Sequence, residues 1–201
     1  MTALRQPAWP ARQVLADRLP NVALREALLL AAGVAVVAVS SQVVIPLPFT
    51  PVPITGSTFG VLVAAAALGP SRGAVSMLLY LALGIAGLPI FQGTHAGLDY
   101  AVGTTGGYLA GFVVAAWIVG ALARRGLDRR PDRTALAFVI GSAVIYAFGV
   151  PWLALSLHVS AGEALTLGMF PFLLGDALKA ILAAVVLPLA WRLTGDEPGE
   201  A

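Results

Sequence analysis

The composition of this 201-residue chain places it in a membrane, because 59% of its residues are hydrophobic and only 11% are charged, whereas soluble domains carry about 25% charged residues. The mean hydropathy is +0.89. With no cysteine and two histidines, the chain has no disulfide framework and no thiolate chemistry, and a dedicated zinc site is disfavoured. The pI of about 9.4 reflects the placement of the arginines described below and does not require nucleic acid.

The first half of the chain begins with a polar arm at residues 1–23, in which arginines are spread among apolar residues. We interpret it as a cytoplasmic arm at the membrane surface and not as a cleaved signal peptide. Residues 24–45 are predicted to form the first membrane span. Its small side chains Ala31, Ala35 and Ala38 allow another helix to approach closely, and both internal packing and a partner interface are compatible with this stripe.

A proline-rich segment follows at residues 46–56, with prolines at 46, 48, 51 and 53. Prolines at this spacing forbid a helix and favour an extended path. The segment is therefore predicted to be stiff, to lie at the membrane face and to cap a cavity. Residues 54–68 are predicted to form a short second helix, which spans only about 22 Å at 1.5 Å per residue and begins below the membrane face.

The remaining four spans are separated by a glycine-rich loop at 89–105, a basic turn at 124–133 and a loop at 158–167. These spans are predicted at residues 72–88, 106–123, 135–157 and 168–193. A short acidic tail follows at 194–201. The sequence thus predicts an all-α membrane protein with six transmembrane helices, organised as one domain over residues 24–193.

The charges predict the orientation of these helices. With six spans, all but one of the twelve Lys and Arg residues fall on a single side of the membrane. The loops at 46–56, 89–105 and 158–167 on the opposite side contain no Lys or Arg. The positive-inside rule therefore places both termini in the cytoplasm.

The exceptional cation is Lys179, which lies within the predicted sixth span three residues after Asp176. Residues three apart share one face of a helix, and a charge at the centre of a bilayer costs about 2.5–3.5 kcal/mol on insertion scales. An internal ion pair and a polar clamp for a ligand are both compatible with this pattern. The position of the pair beneath the external loops favours the ligand site.

The polar pair limits the chemistry of such a ligand. Lys179 is the only Lys or Arg on the external side, so it suits a ligand with one carboxylate, while Asp176 is free to accept hydrogen bonds from N–H groups. Apolar walls for the rest of the ligand are expected from Phe49, Ile54, Tyr80, Phe91 and Tyr108. A small molecule with one acid group, an N–H-bearing head and an apolar frame meets these demands.

The chain closely resembles the BioY family, the biotin-specific substrate-binding (S) components of energy-coupling factor (ECF) transporters. The resemblance covers about residues 28–193. It rests on five motifs in order: IPLPFTPVPITG at 45–56, LGP at 68–70, YLALGIAGLPIF at 80–91, TGGY at 105–108 and GDALK at 175–179.

The resemblance implies the ECF S-component fold, with a biotin pocket near the outer face that is covered by the first external loop. The Asp and Lys of the last helix in this family help to hold the vitamin, and these roles carry onto Asp176 and Lys179. From charge, we assign the ureido head to Asp176 and the valerate carboxylate to Lys179. Further ligand-binding residues are expected at Gln92, Tyr80, Tyr108, Phe49, Thr55 and Phe91.

The resemblance also implies partners in a bacterial cytoplasmic membrane: a membrane scaffold (T) subunit and two ATPase (A) subunits that supply energy. Ala31 and Ala35 match the alanine motif that docks on the scaffold. The chain has no phosphate-binding loop, so ATP is used by the partners only and no cofactor is expected.

Two other classes of protein compete with this interpretation. The chain is expected not to be an enzyme, because an intramembrane aspartyl protease needs two carboxylates within its spans and, apart from Glu26 at the start of the first span, Asp176 is the only one in any predicted span. A stand-alone, ion-coupled carrier of small carboxylates is the alternative function, since Asp176 is a titratable group inside the membrane. A requirement for ATPase partners in uptake distinguishes these possibilities.

Overall fold

The computed structural model describes residues 25–193, so the predicted arm at 1–23 and the tail at 194–201 lie outside the described residues. Over this range the regular secondary structure is helical apart from one short antiparallel hairpin. The elements are α1 (Arg25–Ser40), β1 (Val44–Ile45), β2 (Ile54–Thr55), α2 (Ser57–Leu68), α3 (Pro70–Ile85), α4 (Leu98–Ala101), α5 (Gly106–Ala123), α6 (Pro131–Leu157), α7 (Ala161–Gly168) and α8 (Leu173–Leu193), with single 3₁₀ turns at Gln92–Thr94 and Phe170–Phe172.

The centre of the bundle is formed by α2 and α5, most of whose residues are buried. Helix α5 packs against α2, α3 and α6, while α8 packs against α6 and α2. Small residues allow the close approaches: a Cβ on Gly120 of α5 would overlap the backbone at Gly69 and Pro70, where α3 begins. Close packing of helix backbones through small residues is typical of helices in membranes.

The proline-rich segment is non-helical, as predicted, but it is not extended throughout: it folds back through a turn at 48–49 and a bend at 51–52, and a two-residue ladder closes its base. Val44 pairs with Thr55 and Ile45 pairs with Ile54. This pairing shortens both neighbouring helices, because α1 ends at Ser40 and α2 begins only at Ser57, whereas helices were predicted through 45 and from 54. The segment is attached at its far side, since the Thr50 hydroxyl donates to the carbonyl oxygen of Leu167 at 2.8 Å.

The predicted loop at 158–167 is largely helical, because it forms α7. A capping box starts this helix: the Ser160 side chain accepts from the Glu163 backbone N–H at 3.3 Å, and the Glu163 carboxylate accepts from the Ser160 N–H at 3.1 Å. These contacts satisfy two backbone N–H groups at the helix start that have no carbonyl partner within the helix. The break at Phe170–Phe172 delays α8, which begins at Leu173 and not at the predicted 168.

The described residues present an apolar surface of the kind that faces lipid. Three helical segments are long and apolar enough to cross a membrane: Gly106–Ala123, Pro131–Leu157 and Ala161–Leu193, and α2 and α3 are shorter apolar helices. Along α8, the exposed large side chains include Leu174, Leu178, Ile181 and Val185. The exact number of six spans stays a prediction.

Most of the basic segments meet at one end of the bundle. Arg72 at the start of α3 forms a two-pronged ion pair with Glu26 at the start of α1, at 2.8 and 2.9 Å. The end of α5 contacts the start of α3 at Gly120, and the turn after α5 contacts the end of α8 at Trp191. This arrangement agrees with the distribution of arginines that predicted the orientation.

Asp128 lies in the basic turn between α5 and α6 and is only 2% exposed. Its carboxylate accepts a hydrogen bond from the Trp191 indole N–H at 2.6 Å, and the Arg129 guanidinium lies 4.2 Å from the centre of the Trp191 ring. Burial raises the pKa of Asp128 to about 6, against the smaller opposing effects of Trp191 and Arg129. The fold therefore favours the protonated form of this side chain.

We expect Asp128→Asn to remove a pH-dependent loss of stability. The pKa of Asp128 is higher in the folded protein than its ordinary value of 3.8, so the protonated side chain stabilises the fold relative to the ionised one. This contribution to the free energy of unfolding is fully present below about pH 4 and is lost as the pH rises through about 6. A pKa unit corresponds to about 1.4 kcal/mol, so the rise from 3.8 to about 6 makes the total loss about 3 kcal/mol. Thermal unfolding in detergent between pH 4.5 and 7.5 measures it.

The matched control is Asp132→Asn, which removes an exposed carboxylate at the start of α6 and should leave the contribution of Asp128 in place. Parallel stability curves for the wild type and Asp128→Asn would contradict the prediction.

Candidate functional site

A cavity lies between α2, α3, α5, α6 and α8 and is covered by the hairpin segment. It contains about 580 Å³ of space, including its open mouth. Its polar lining comprises Thr55, Ser57, Thr58, Tyr80, Gln92, Tyr100, Thr105, Tyr108, Tyr146, Asp176 and Lys179. Val52, Pro53, Leu109, Phe112, Ile145 and Phe172 supply its apolar lining.

The charged centre of the cavity is the pair Asp176 and Lys179, which the first two turns of α8 present on one face. The Lys179 ammonium donates to Asp176 Oδ1 at 3.0 Å, and the two side chains are only 18% and 11% exposed. Such partly buried charges depend on each other and on further hydrogen bonds to offset desolvation. The predicted pairing of these residues is therefore present in the fold.

Two residues from other helices complete this network. The Tyr146 hydroxyl of α6 donates to Asp176 Oδ2, and Lys179 donates to Thr58 Oγ1 of α2 at 2.7 Å. The polar centre thus connects three helices, and both carboxylate oxygens of Asp176 have a partner.

The aromatic wall beside the pair is held by Tyr108 of α5. Its hydroxyl donates to the carbonyl oxygen of Gly168 at 2.8 Å, and its ring meets that of Tyr146 edge-on, with 6.5 Å between centroids. The ring fits because Gly149 of α6 has no side chain; a Cβ at this position would overlap the ring.

The opposite wall is built from the glycine-rich loop. Phe91 is fully buried and lies between Tyr80, at 5.4 Å edge-on, and Tyr100, stacked at 5.2 Å between centroids. Gln42 holds the loop, donating to the Phe91 carbonyl at 3.2 Å and accepting from the Thr94 N–H at 3.1 Å. Burial raises the pKa of Tyr100, so its hydroxyl stays a neutral hydrogen-bonding group.

Most of the ligand-binding residues predicted from the sequence come together around this cavity: Asp176, Lys179, Gln92, Tyr80, Tyr108 and Thr55 all line it. Phe91 lies behind the lining, where it supports Tyr80 and Tyr100. Phe49 is 59% exposed and is outside the cavity lining. Ala31 and Ala35 lie on the exposed face of α1, as an interface requires.

Sequence reasoning missed Tyr146, Thr58, Tyr100 and Thr105 as lining residues. Tyr146 carried a usable signal, because a tyrosine near the middle of an apolar span needs a partner for its hydroxyl. Thr58 gave none, since threonine hydroxyls commonly satisfy themselves on the backbone of their own helix. Its approach to Lys179 depends on how α2 and α8 pack.

The chemistry of the site is that of binding. It offers one cation, one carboxylate, several hydroxyl groups and one amide against aromatic and aliphatic walls. Within residues 25–193, no group of three or more His, Asp or Glu side chains is placed to hold a metal ion.

An apolar helical bundle with a charged pair in a cavity between its helices is the architecture of a membrane protein with a small-molecule site. The BioY family model matches residues 12–196, and the chain belongs to this family. A probable biotin transporter BioY of Pyrococcus horikoshii is 37% identical over 172 residues, covering 86% of this chain and 98% of the relative. The biotin transporter BioY of Rhizobium etli is 36% identical over 149 residues, covering 71% and 79%.

A solved structure has the same fold. The crystal structure of the S-component for biotin from an ECF-type ABC transporter superimposes with a TM-score of 0.74 at 24% identity, covering 89% of this chain and 96% of that chain. The predicted ECF S-component fold is thereby confirmed.

We expect Gly84→Ala to destabilise the loop wall of the cavity. A Cβ at Gly84 of α3 would overlap the Phe91 ring. This ring is fully buried and packs between Tyr80 and Tyr100, so it cannot move aside without disturbing them. Overpacking of this kind costs about 1–3 kcal/mol, which should lower the melting temperature in detergent. Gly162→Ala in α7 is the matched control, because open space surrounds that position. Equal melting temperatures for the two variants would refute the proposed packing.

Proposed function

We propose that the chain captures biotin at the outer face of the membrane and delivers it inward as the substrate-binding subunit of an ECF-type ABC transporter. The observation that carries this proposal is the Asp176–Lys179 pair in a cavity between the helices of a chain that belongs to the BioY family. The relatives named as biotin transporters support biotin as the ligand. Membership of a transporter family also agrees with the expectation that the chain is not an enzyme.

The cavity suits the chemistry of biotin. Biotin carries one carboxylate, a ureido group with two N–H donors and a carbonyl acceptor, and an apolar bicyclic frame with an aliphatic chain. We assign the ureido N–H groups to Asp176 and the carboxylate to Lys179 as its counter-ion. Tyr80, Tyr108, Thr55 and the amide of Gln92 lie around the cavity and are proposed to contact the ligand. This distribution of a few polar groups on an apolar wall is typical of small-molecule sites.

The proline-rich segment is proposed to act as the cover of the site. Val52 and Pro53 line the cavity, and Thr50 attaches the segment to α7. The exposed side chain of Phe49 does not line the cavity. A direct contact between Phe49 and the ligand therefore requires the proline-rich segment to move on binding.

Energy for transport is proposed to come from partners. The sequence contains no phosphate-binding loop, and the structural neighbour is described as one component of an ABC transporter. We propose a T scaffold and two ATPase subunits as partners in a bacterial cytoplasmic membrane. The exposed small side chains of Ala31 and Ala35 on α1 are the proposed scaffold contact.

Loss of the ammonium should affect the acid group of the ligand selectively. We expect Lys179→Ala to weaken biotin binding about tenfold to a hundredfold, since a hydrogen bond to a charged group contributes about 1.5–3 kcal/mol. Binding of the uncharged biotin amide should change little. Asp176→Asn, in contrast, should weaken both ligands. Calorimetry on the purified, detergent-solubilised chain measures the affinity of each variant for biotin and for biotin amide, against the wild type.

The control for this experiment is Arg133→Ala, which removes an exposed cation of the basic turn and should bind both ligands as the wild type does. Equal losses of acid and amide in Lys179→Ala would overturn the assignment of the carboxylate. An intact wild-type chain that binds neither ligand would overturn biotin as the substrate.

Transport should depend on the partners. Vesicles that contain only this chain are expected to bind biotin without accumulating it, and accumulation should appear when the scaffold, the two ATPase subunits and ATP are present. Accumulation by the chain alone in response to an imposed proton gradient would favour the ion-coupled carrier instead.

A further inference from the structure

Four side chains form a continuous hydrogen-bonded chain through the wall of the cavity. It runs from the Tyr146 hydroxyl of α6 to the carboxylate of Asp176, then to the ammonium of Lys179 at 3.0 Å and on to Thr58 Oγ1 of α2 at 2.7 Å. The two outer members therefore connect α8 to both helices against which it packs.

We propose that Tyr146 and Thr58 are positioning residues, which hold Asp176 and Lys179 in the orientations that ligand binding requires. The inference rests on the proposed function and extends it to two residues on other helices. Tyr146 acts through the carboxylate, and Thr58 acts through the ammonium.

The carboxylate needs such a partner because it has space on both sides. Asp176 and Tyr146 line the central cavity, and both also border a second, apolar groove of about 1,110 Å³ between α6 and α8. Within α8, Lys179 holds only one of the two carboxylate oxygens. The Tyr146 hydroxyl and the Lys179 ammonium hold one oxygen each, which fixes the plane of the group.

The fixed carboxylate keeps the capacity to bind a ligand. Each carboxylate oxygen has about two acceptor positions, and the protein contacts occupy one on each oxygen of Asp176. One acceptor position on each oxygen therefore remains, and a ligand with two N–H groups matches this pair.

The ammonium of Lys179 likewise has one hydrogen-bonding position left for the ligand. A lysine has three N–H donors on a flexible stem, and two of them are used by Asp176 and Thr58. Lys179 also borders a groove beside the hairpin, lined by residues of α1, β1 and β2. Thr58 holds the ammonium away from that groove, so that its third donor is available to the ligand.

Tyr146 is itself supported by neighbouring structure. Its ring meets Tyr108 edge-on at 6.5 Å, and Tyr108 is fixed by its hydrogen bond to Gly168 at 2.8 Å. A group that orients others has to be held by its own surroundings, and this contact supplies that support.

The test uses the two ligands that separate the roles of Asp176 and Lys179. Tyr146→Phe should weaken binding of biotin and of biotin amide alike, by about tenfold to a hundredfold, because it acts through Asp176. Thr58→Val should weaken biotin by a similar factor and the amide by less than about threefold, because it acts through Lys179. Thr58→Ser, which keeps the hydroxyl, should restore biotin binding.

A double-mutant cycle with Asp176→Asn adds a second readout. The loss caused by Tyr146→Phe should shrink in the Asp176→Asn protein, because the two residues act as a unit. Tyr100→Phe is the comparison, since it removes a hydroxyl from the opposite wall of the cavity, where the Tyr100 ring stacks on Phe91 and not on Tyr146, and its effect should add to that of Asp176→Asn.

Failure of the positioning roles can be distinguished from failure of the proposed function. A folded wild-type chain that binds no biotin overturns the function. Wild-type binding together with unchanged affinity in Tyr146→Phe and Thr58→Val overturns the positioning roles, as do equal losses of both ligands in Thr58→Val. If Tyr146→Phe fails to fold, selective loss in Thr58→Val with recovery in Thr58→Ser still decides the role of Thr58, and unselective loss refutes it.

Discussion

The cost of holding a carboxylate and an ammonium inside an apolar bundle is the constraint on which the cavity depends. Desolvation of two charges is repaid only when their geometry is good and their remaining donors and acceptors are satisfied. Asp176 and Lys179 meet part of this requirement through each other, through Tyr146 and through Thr58, and the ligand is proposed to meet the rest. The same contacts connect α8 to α6 and α2, so the polar centre of the site also determines where the last helix lies.

The aromatic walls follow from a second constraint, which is close packing. Rings need room in a bundle whose helices are in contact, and glycines provide it: Gly84 accommodates Phe91, and Gly149 accommodates Tyr108. The rings in turn support the polar residues, because Tyr108 meets Tyr146 and Phe91 supports Tyr80 and Tyr100. Small residues far apart in the sequence thereby contribute to one binding surface without contacting a ligand.

Features that depend on local physics were predictable. Prolines exclude a helix between α1 and α2, and the hairpin segment confirms it. The Ser160 and Glu163 spacing is a capping-box pattern, a local signal for the start of α7 that the predicted loop at 158–167 did not take into account. Boundaries were less accurate for a tertiary reason: strand pairing shortened α1 and α2, and the break at Phe170–Phe172 delayed α8.

The sequence by itself determined the class of protein, the distribution of charge and the pair at the centre of the site. An apolar composition, a one-sided set of arginines and a lone Lys179 three residues from Asp176 are properties of the chain in order. Only the tertiary structure decided that Tyr146 and Thr58 complete the pair, that Phe91 supports the wall and that Phe49 lies outside the cavity lining. These contacts join residues on different helices, whose relative rotation is set by packing and leaves no local pattern in the sequence.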